Sequence, residues 1–369
     1  MMNKTTQLKK LVSHFQFDGD FIYEEPFGYG HINDTFAVYF KKTFKHPDRY
    51  ILQRINHTIF KNPEELMQNI ENVTAHIRSK LKSSGGDISR EVLTIIKTKD
   101  EKNFFQDENG NFWRAYIFID DATCYQIVEK PEQFYKSARA FGKFQKLLSD
   151  FPAETLFETI PDFHNTEKRF ETFLDVLKKD PLQRAVGVKN EIEFVLNRQS
   201  DASVLVDLLK NKKLPLRVTH NDTKLNNIMI DNETGEGVCV IDLDTVMPGL
   251  SIYDYGDSIR FGANPAAEDE KDLSKVWMEL SLFELFTKGF LEEAGNSLTE
   301  TEIEYLPFAA KIMTFECGIR FLTDYLNGDI YFKIHRKDHN LDRCRTQFKL
   351  VADMEQKMDE MKEIVSRYR

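Results

Sequence analysis

Apolar positions along the chain fall into two regimes. Segments 19–27, 34–40 and 49–55 are short and rich in Phe, Tyr, Ile and Val, separated by the turn Gly28-Tyr29-Gly30 and by the polar stretch Lys41 to Asp48. That pattern predicts strands of a twisted antiparallel sheet. A helix is expected from Asn62 to Lys82, opened by Pro63 with Glu64 and Glu65 in its first turn and stopped by Ser83-Ser84-Gly85-Gly86. Residues 92–98 and 112–119 predict two further strands joined through the turn Asp107-Glu108-Asn109-Gly110.

After Asp120-Asp121 the pattern turns helical. Phe134, Ala138, Phe141, Phe144 and Leu148 recur at spacings of three and four, one apolar stripe on a helix from Pro131. Further helical patterns cover 166–179, 188–210, 268–294, 299–327 and 338–367. One β-rich island interrupts them at 216–243, and there is no internal repeat or low-complexity tract.

Composition narrows the reading. With 369 residues, 41% of them hydrophobic, the chain can bury a large core and favours two lobes over one compact unit. Cys124, Cys239, Cys317 and Cys344 are far apart with no CxxC pair, so they read as free thiols in a reducing cytoplasm. No apolar leader follows Lys4, Lys9 and Lys10, and no run approaches the ~18 apolar residues of a membrane span, so a cytoplasmic protein without a membrane partner is expected. A net charge of −10 argues against a nucleic-acid partner, and nothing calls for an obligate protein partner.

The island carries the chemistry. Val218-Thr219-His220-Asn221-Asp222-Thr223-Lys224-Leu225-Asn226-Asn227 fits H-x-D-x-x-x-x-N, and the strand Val238-Cys239-Val240-Ile241 ends in Asp242 fifteen residues beyond Asn227. Phosphoryl transfer needs these residue types together. A carboxylate within reach of an acceptor hydroxyl aims it and takes its proton, the role given to Asp222. A hard divalent ion holding the triphosphate wants oxygen ligands, and Asn227 and Asp242 offer them from the two arms of a hairpin, which makes Mg²⁺ and ATP the expected cofactor and co-substrate. Asp244 shares a face with Asp242 if the strand continues, as a second metal ligand or a structural salt bridge. His220 is expected to fix the loop through the backbone.

His220, Asp222, Asn227 and Asp242 resemble the signature of the aminoglycoside phosphotransferase and choline kinase superfamily. The resemblance implies a bilobal, protein-kinase-like α+β fold: an N-lobe over 1–120 with an antiparallel sheet and one main helix for the nucleotide, and a mostly helical C-lobe over 121–369 with the catalytic hairpin. Gly30-His31-Ile32-Asn33, Tyr50-Ile51-Leu52-Gln53, Leu216 to Asn227, Gly256-Asp257-Ser258-Ile259-Arg260-Phe261-Gly262 and Gly328-Asp329-Ile330-Tyr331-Phe332 are similar, over nearly the whole chain, to the N-acetylhexosamine 1-kinases. That likeness implies ATP-dependent phosphorylation of N-acetylglucosamine or N-acetylgalactosamine at the anomeric hydroxyl.

One position departs from the general kinase pattern. The third strand of most kinases ends in a lysine that clamps phosphates, whereas Gln53 stands there, so no ion pair to a helix acid such as Glu71 is assigned. Lys224 is expected to bring a cation to the γ-phosphate as part of the catalytic set, the alternative being a surface lysine. The turn Gly28, Tyr29, Gly30 is expected to let backbone N–H groups approach phosphates. Phe118, Ile119 and Asp120 form the expected hinge for adenine, and His31 contacts phosphate or acceptor, or is structural.

For the acceptor, Glu316, Arg320 and Asp324 recur four apart in an apolar helix. They pair along it or line a pocket. Arg320 and Tyr331, with His31 and Asp222, are the expected sugar-binding residues; His164, Asn165 and Thr166 assist them or cap a helix. Asp254 and Asp257 are expected to brace the catalytic loop. Competing readings are a kinase of another small hydroxyl acceptor (aminoglycoside, choline or ethanolamine) and a non-catalytic nucleotide-binding regulator.

Overall fold

The computed structural model describes residues 4–28, 32–41 and 48–369, with side chains from Leu8 onward. Tyr29, Gly30 and His31 lie outside the described residues. Helix α1 (Lys4–Val12) precedes β1 (Asp20–Pro26), β2 (Asp34–Lys41) and β3 (Asp48–Ile55), close to the predicted segments. Helix α2 (Pro63–Ser84) starts where Asn62 accepts from the Glu65 amide and stops at Gly85, whose φ of 77° few residues besides glycine adopt.

The next strands are shorter than expected: β4 (Ile95–Ile96), β5 (Phe105–Gln106), β6 (Phe112–Ile117) and β7 (Ala122–Thr123). The 92–98 segment pairs with β6 over two residues only and then bridges Phe15 at Thr98, where the chain doubles back as the Thr98 amide donates to Lys102 O at 2.8 Å. The Asp107–Gly110 turn therefore closes β5 onto β6. The sheet runs β1-β2-β3-β6-β4, with β5 also on β6, and its pairs are antiparallel.

Beyond it the chain is mostly helical: α3 (Pro131–Leu147), α4 (Thr166–Lys179), α5 (Lys189–Leu196), α6 (Gln199–Ala202) and α7 (Val204–Lys210). Strands β8 (Arg217–Thr219), β9 (Ile228–Asp231), β10 (Gly237–Val240) and β11 (Met247–Gly249) follow, then α8 (Ser251–Gly262), α9 (Leu280–Ala294), α10 (Glu300–Glu304), α11 (Leu306–Asn327), α12 (His339–Gln356) and α13 (Met358–Arg367). Three expectations are corrected. The 188–210 pattern is three short helices, with Arg198 turned back onto Phe194 O and Glu355 at the first break. The 268–294 pattern is helical only from Leu280, where Glu279 accepts from the Ser281 amide, since Met278 N is pinned to Asp353. Helix α8 was not foreseen. Its Gly256 and Gly262 lower helix propensity, but Gly256 permits close packing: a Cβ there would lie 2.5 Å from Ala309 O on α11.

The helical part packs around Tyr255, Phe283, Phe286, Phe290 and Ile319. A second core joins it to the sheet region, with Leu66, Ile70 and Val73 of α2 against Phe144, Leu148, Val218 and Val246. Buried Asn69 of α2 fastens that seam, donating to Phe157 O at 2.8 Å and Val246 O at 3.1 Å and accepting from Phe157 N. The seam sets α2 directly over the β8–β11 segment. No helix among the described residues is long and apolar enough to cross a membrane.

Candidate active site

The loop after β8 is built from the backbone outward. Asp254 of α8 accepts from the amides of His220 at 2.9 Å and Asn221 at 2.8 Å and from the Gln145 side chain, and Asp257 accepts from Thr223 N at 3.1 Å. Burial drives the Asp254 carboxyl upward in spite of these donors. Burial works the same way on Asp257, but Arg260 and Lys224 outweigh it and hold this carboxyl below its ordinary range. His220 Nε2 stands 2.8 Å from Ile241 O, so this nitrogen carries the hydrogen and Nδ1 accepts from Asp222 N. Thr245 Oγ1 donates to His220 O and Asn221 Nδ2 to Thr245 O, which ties the loop to the chain after β10.

These constraints present Asp222, Lys224 and Asn227 together. Lys224 Nζ lies 2.8 Å from Asp222 Oδ1, and Asp222, then Asp257, raise its pKa against burial and Arg260. Asn227 Nδ2 donates to Asp222 O at 2.8 Å and to Asp222 Oδ2 at 3.1 Å, which leaves the amide oxygen for another partner.

Asp242 adopts φ 58°, ψ 55°, a left-handed conformation costly for a non-glycine residue and the kind of strain kept at functional sites. The strand expected to run on to Asp244 ends at Val240, so the shared-face argument fails. Asp242 is exposed, and among the described residues no ion pair or hydrogen bond holds it. Partial loss of hydration, then Asp244 and Asp222, push it up to about 6, with Arg114 and His220 opposing. Asp244 points the other way and is buried. Its Oδ1 is 2.5 Å from Arg114 Nη1, a charge contact rather than an aligned hydrogen bond, and its Oδ2 accepts from Asn33 Nδ2 at 2.6 Å.

Gln53 lies behind this pair. It accepts from Arg114 Nε at 3.0 Å and donates to Thr35 Oγ1, while Glu71 turns outward to Lys97 and Asn103. Arg114 went unremarked in the sequence; its signal was a lone charge in an apolar strand at the register opposite Gln53. Gly28 has φ 79°. At the hinge, Asp120 pairs with Arg49, and Arg90 donates to the carbonyls of Asp120 and Asp121.

On the helical side, Glu316, Arg320 and Asp324 do not pair along α11. His164 bridges Glu316 Oε1 at 2.7 Å and Asn221 O at 3.1 Å, and Thr166 takes the second Glu316 oxygen. Burial works against the Glu316 charge, yet His164, Arg320 and Arg169 hold its carboxyl below the usual range. Arg320 packs over Phe163 and Phe332, and Tyr331 and Glu316 raise its pKa against burial. Asn165 caps α4. Asp324 accepts from the amides of Ile330, Tyr331 and Phe332 and from Asn340, fixing the loop beside Arg320.

Residues 25–277 match the model of the phosphotransferase enzyme family. The chain belongs to this family. The phosphotransferase is similar in structure to a microcompartment-associated aminopropanol kinase (TM-score 0.57, 12% identity, 96% of this chain and 98% of that one). It is also similar to an amicoumacin kinase solved with AMP-PNP and Ca²⁺ (0.59, 14%, 96% and 94%) and to a Plasmodium vivax ethanolamine kinase (0.53, 15%, 88% and 82%). These likenesses establish the protein-kinase-like α+β fold expected from the sequence: an antiparallel sheet region followed by a mostly helical part.

Among the described residues no group of three or more His, Cys, Asp or Glu side chains surrounds a metal position. Magnesium needs fewer protein ligands, because phosphates and water complete its shell. The phosphotransferase suits it, offering the free amide oxygen of Asn227 and the unpaired carboxylate of Asp242.

Proposed function

We propose that the chain transfers the γ-phosphoryl group of ATP to the anomeric 1-hydroxyl of an N-acetylhexosamine, N-acetylglucosamine or N-acetylgalactosamine, giving the sugar 1-phosphate and ADP. In this reading residues 1–120 form a nucleotide-binding lobe and 121–369 the catalytic and acceptor lobe. Asp222 orients the 1-hydroxyl and takes its proton as the new O–P bond forms and the bond from Pγ to the β-phosphate oxygen breaks. Lys224, ion-paired with Asp222, stands where a phosphate oxygen can meet it. Asn227 and Asp242 would hold Mg²⁺, which when bound would neutralise charge on the phosphates. Asp244, with both oxygens engaged, anchors the turn, and Phe118 and Ile119 offer their backbone to adenine.

The observation that carries the acceptor class is the charge of the helical wall. Neither Arg320 nor Arg169 has a carboxylate within 4 Å among the described residues, and burial together with Arg320 lowers the Arg169 pKa. The nearby carboxylate, Glu316, is already taken by His164 and Thr166. Amino alcohols, the substrates named for two of the structural neighbours, carry a cation that such a wall repels. An N-acetyl sugar brings neutral oxygen acceptors that guanidinium groups bind well, with Tyr331 at the rim. The test is ADP release with N-acetylglucosamine, N-acetylgalactosamine, glucosamine, choline and kanamycin at equal concentration. Turnover is expected with the N-acetyl sugars, and a preference for choline or kanamycin would overturn the acceptor assignment.

A further inference from the structure

Position 53 lacks the lysine that most kinases carry there, and the buried cation nearest the gap comes from the adjacent strand. Arg114 is 1% exposed. Its guanidinium touches Asp244 at 2.5 Å and Gln53 Oε1 at 3.0 Å, and Gln53 reaches Thr35 Oγ1 in turn. Thr35, Gln53 and Arg114 lie on neighbouring strands in one register, so a polar chain crosses three strands of the sheet and ends on the turn that bears Asp242. A second tie converges on the same carboxylate. Asn33, just after the glycine turn, donates to Asp244 Oδ2 at 2.6 Å and accepts from the Asn56 amide at 2.9 Å.

We infer that Arg114 is a positioning residue for phosphoryl transfer, acting through Asp244 to hold the Asp242 turn against the sheet that covers the nucleotide. Its complete burial rules out direct contact with substrate. A desolvated ion pair is a poor way to gain stability, since apolar residues of similar volume commonly do as well. Its worth here is geometric. Asp242 sits in a strained backbone conformation with no side-chain partner among the described residues, so the neighbouring turn must be fixed from elsewhere. Asp244 supplies that fixed point because Arg114 and Asn33 grip both of its oxygens. The inference rests on the reading of Asp242 and Asn227 as the Mg-nucleotide ligands.

The test pairs calorimetric nucleotide binding, with and without Mg²⁺, with the melting temperature. Arg114→Met strands a buried carboxylate and is expected to lower the Tm. The neutral pair Arg114→Met/Asp244→Asn removes that penalty and is expected to recover most of the Tm while losing at least tenfold in Mg-ATP affinity, with affinity for metal-free ATP unchanged. Arg114→Lys keeps the charge but not the fork; it guards against a pair that fails to fold and is expected to weaken Mg-ATP several-fold. Mg-ATP affinity within twofold of wild type in the folded pair, or in Arg114→Lys, would overturn the inference. Failure of the underlying reading would show instead in the wild-type protein, as nucleotide binding that does not respond to Mg²⁺.

Discussion

Asn227 donates its side-chain amide hydrogens to Asp222, to the backbone oxygen at 2.8 Å and to Oδ2 at 3.1 Å. In the proposed mechanism this one side chain would orient the carboxylate that meets the acceptor and leave its own oxygen for the metal. Asn227→Ala should damage both tasks, lowering kcat and weakening Mg-ATP by roughly tenfold or more. Steady-state kinetics with varied Mg²⁺ separates them, and a loss confined to acceptor KM would contradict the assignment.

Asp222→Asn keeps the shape and removes the proton acceptor. Turnover should fall by about 10³-fold, within the usual range for losing a general base, while calorimetric ATP affinity stays near wild type. A rate within tenfold of wild type would remove Asp222 from the chemistry.

Asp242 carries the pH dependence. Its carboxyl is raised from 3.8 to about 6, so the folded metal-free protein holds this proton more tightly than the unfolded chain. Stability from this group is full below pH 4 and is lost as pH rises through about 6. Metal-free Asp242→Asn should accordingly melt above wild type at pH 7 and lose the advantage by pH 4. Protons also compete with the metal, so Mg-ATP affinity should fall as pH drops from 7 to 5. A flat profile over that range would contradict the ligand role.

Arg320 and Asp324 should separate by what they disturb. Arg320→Ala should raise the acceptor KM roughly 10–100-fold with ATP KM unchanged, the scale of losing hydrogen bonds from a charged donor. Asp324→Ala frees three backbone amides of the loop bearing Tyr331, so it should raise acceptor KM and also lower stability by about 2 kcal/mol. Thermal melts with acceptor and ATP titrations distinguish the two.

The sequence made some of this legible and hid the rest for physical reasons. Strong local patterns, such as the β-branched and aromatic runs of β1 to β3 and the Pro131 stripe, correspond to elements with close to the expected bounds. The spacing of His220, Asp222, Asn227 and Asp242 comes from one hairpin, so local sequence carries it. Helix α8 was hidden because Gly256 lies close against α11 and Gly262 against Phe134 of α3, contacts that no local propensity records. Arg114 was hidden because its partners, Gln53 and Asp244, lie 61 and 130 positions away and meet it only once the sheet seats on the hairpin. The bearing of Asp244 depended on a strand end that left-handed Asp242 imposes.

The most direct test of the account is phosphorus NMR of the product formed from Mg-ATP and N-acetylglucosamine or N-acetylgalactosamine. The account predicts a sugar phosphate resonance coupled to the anomeric proton. A phosphate coupled to the C6 methylene protons, or transfer only to an amine-bearing acceptor, would contradict it.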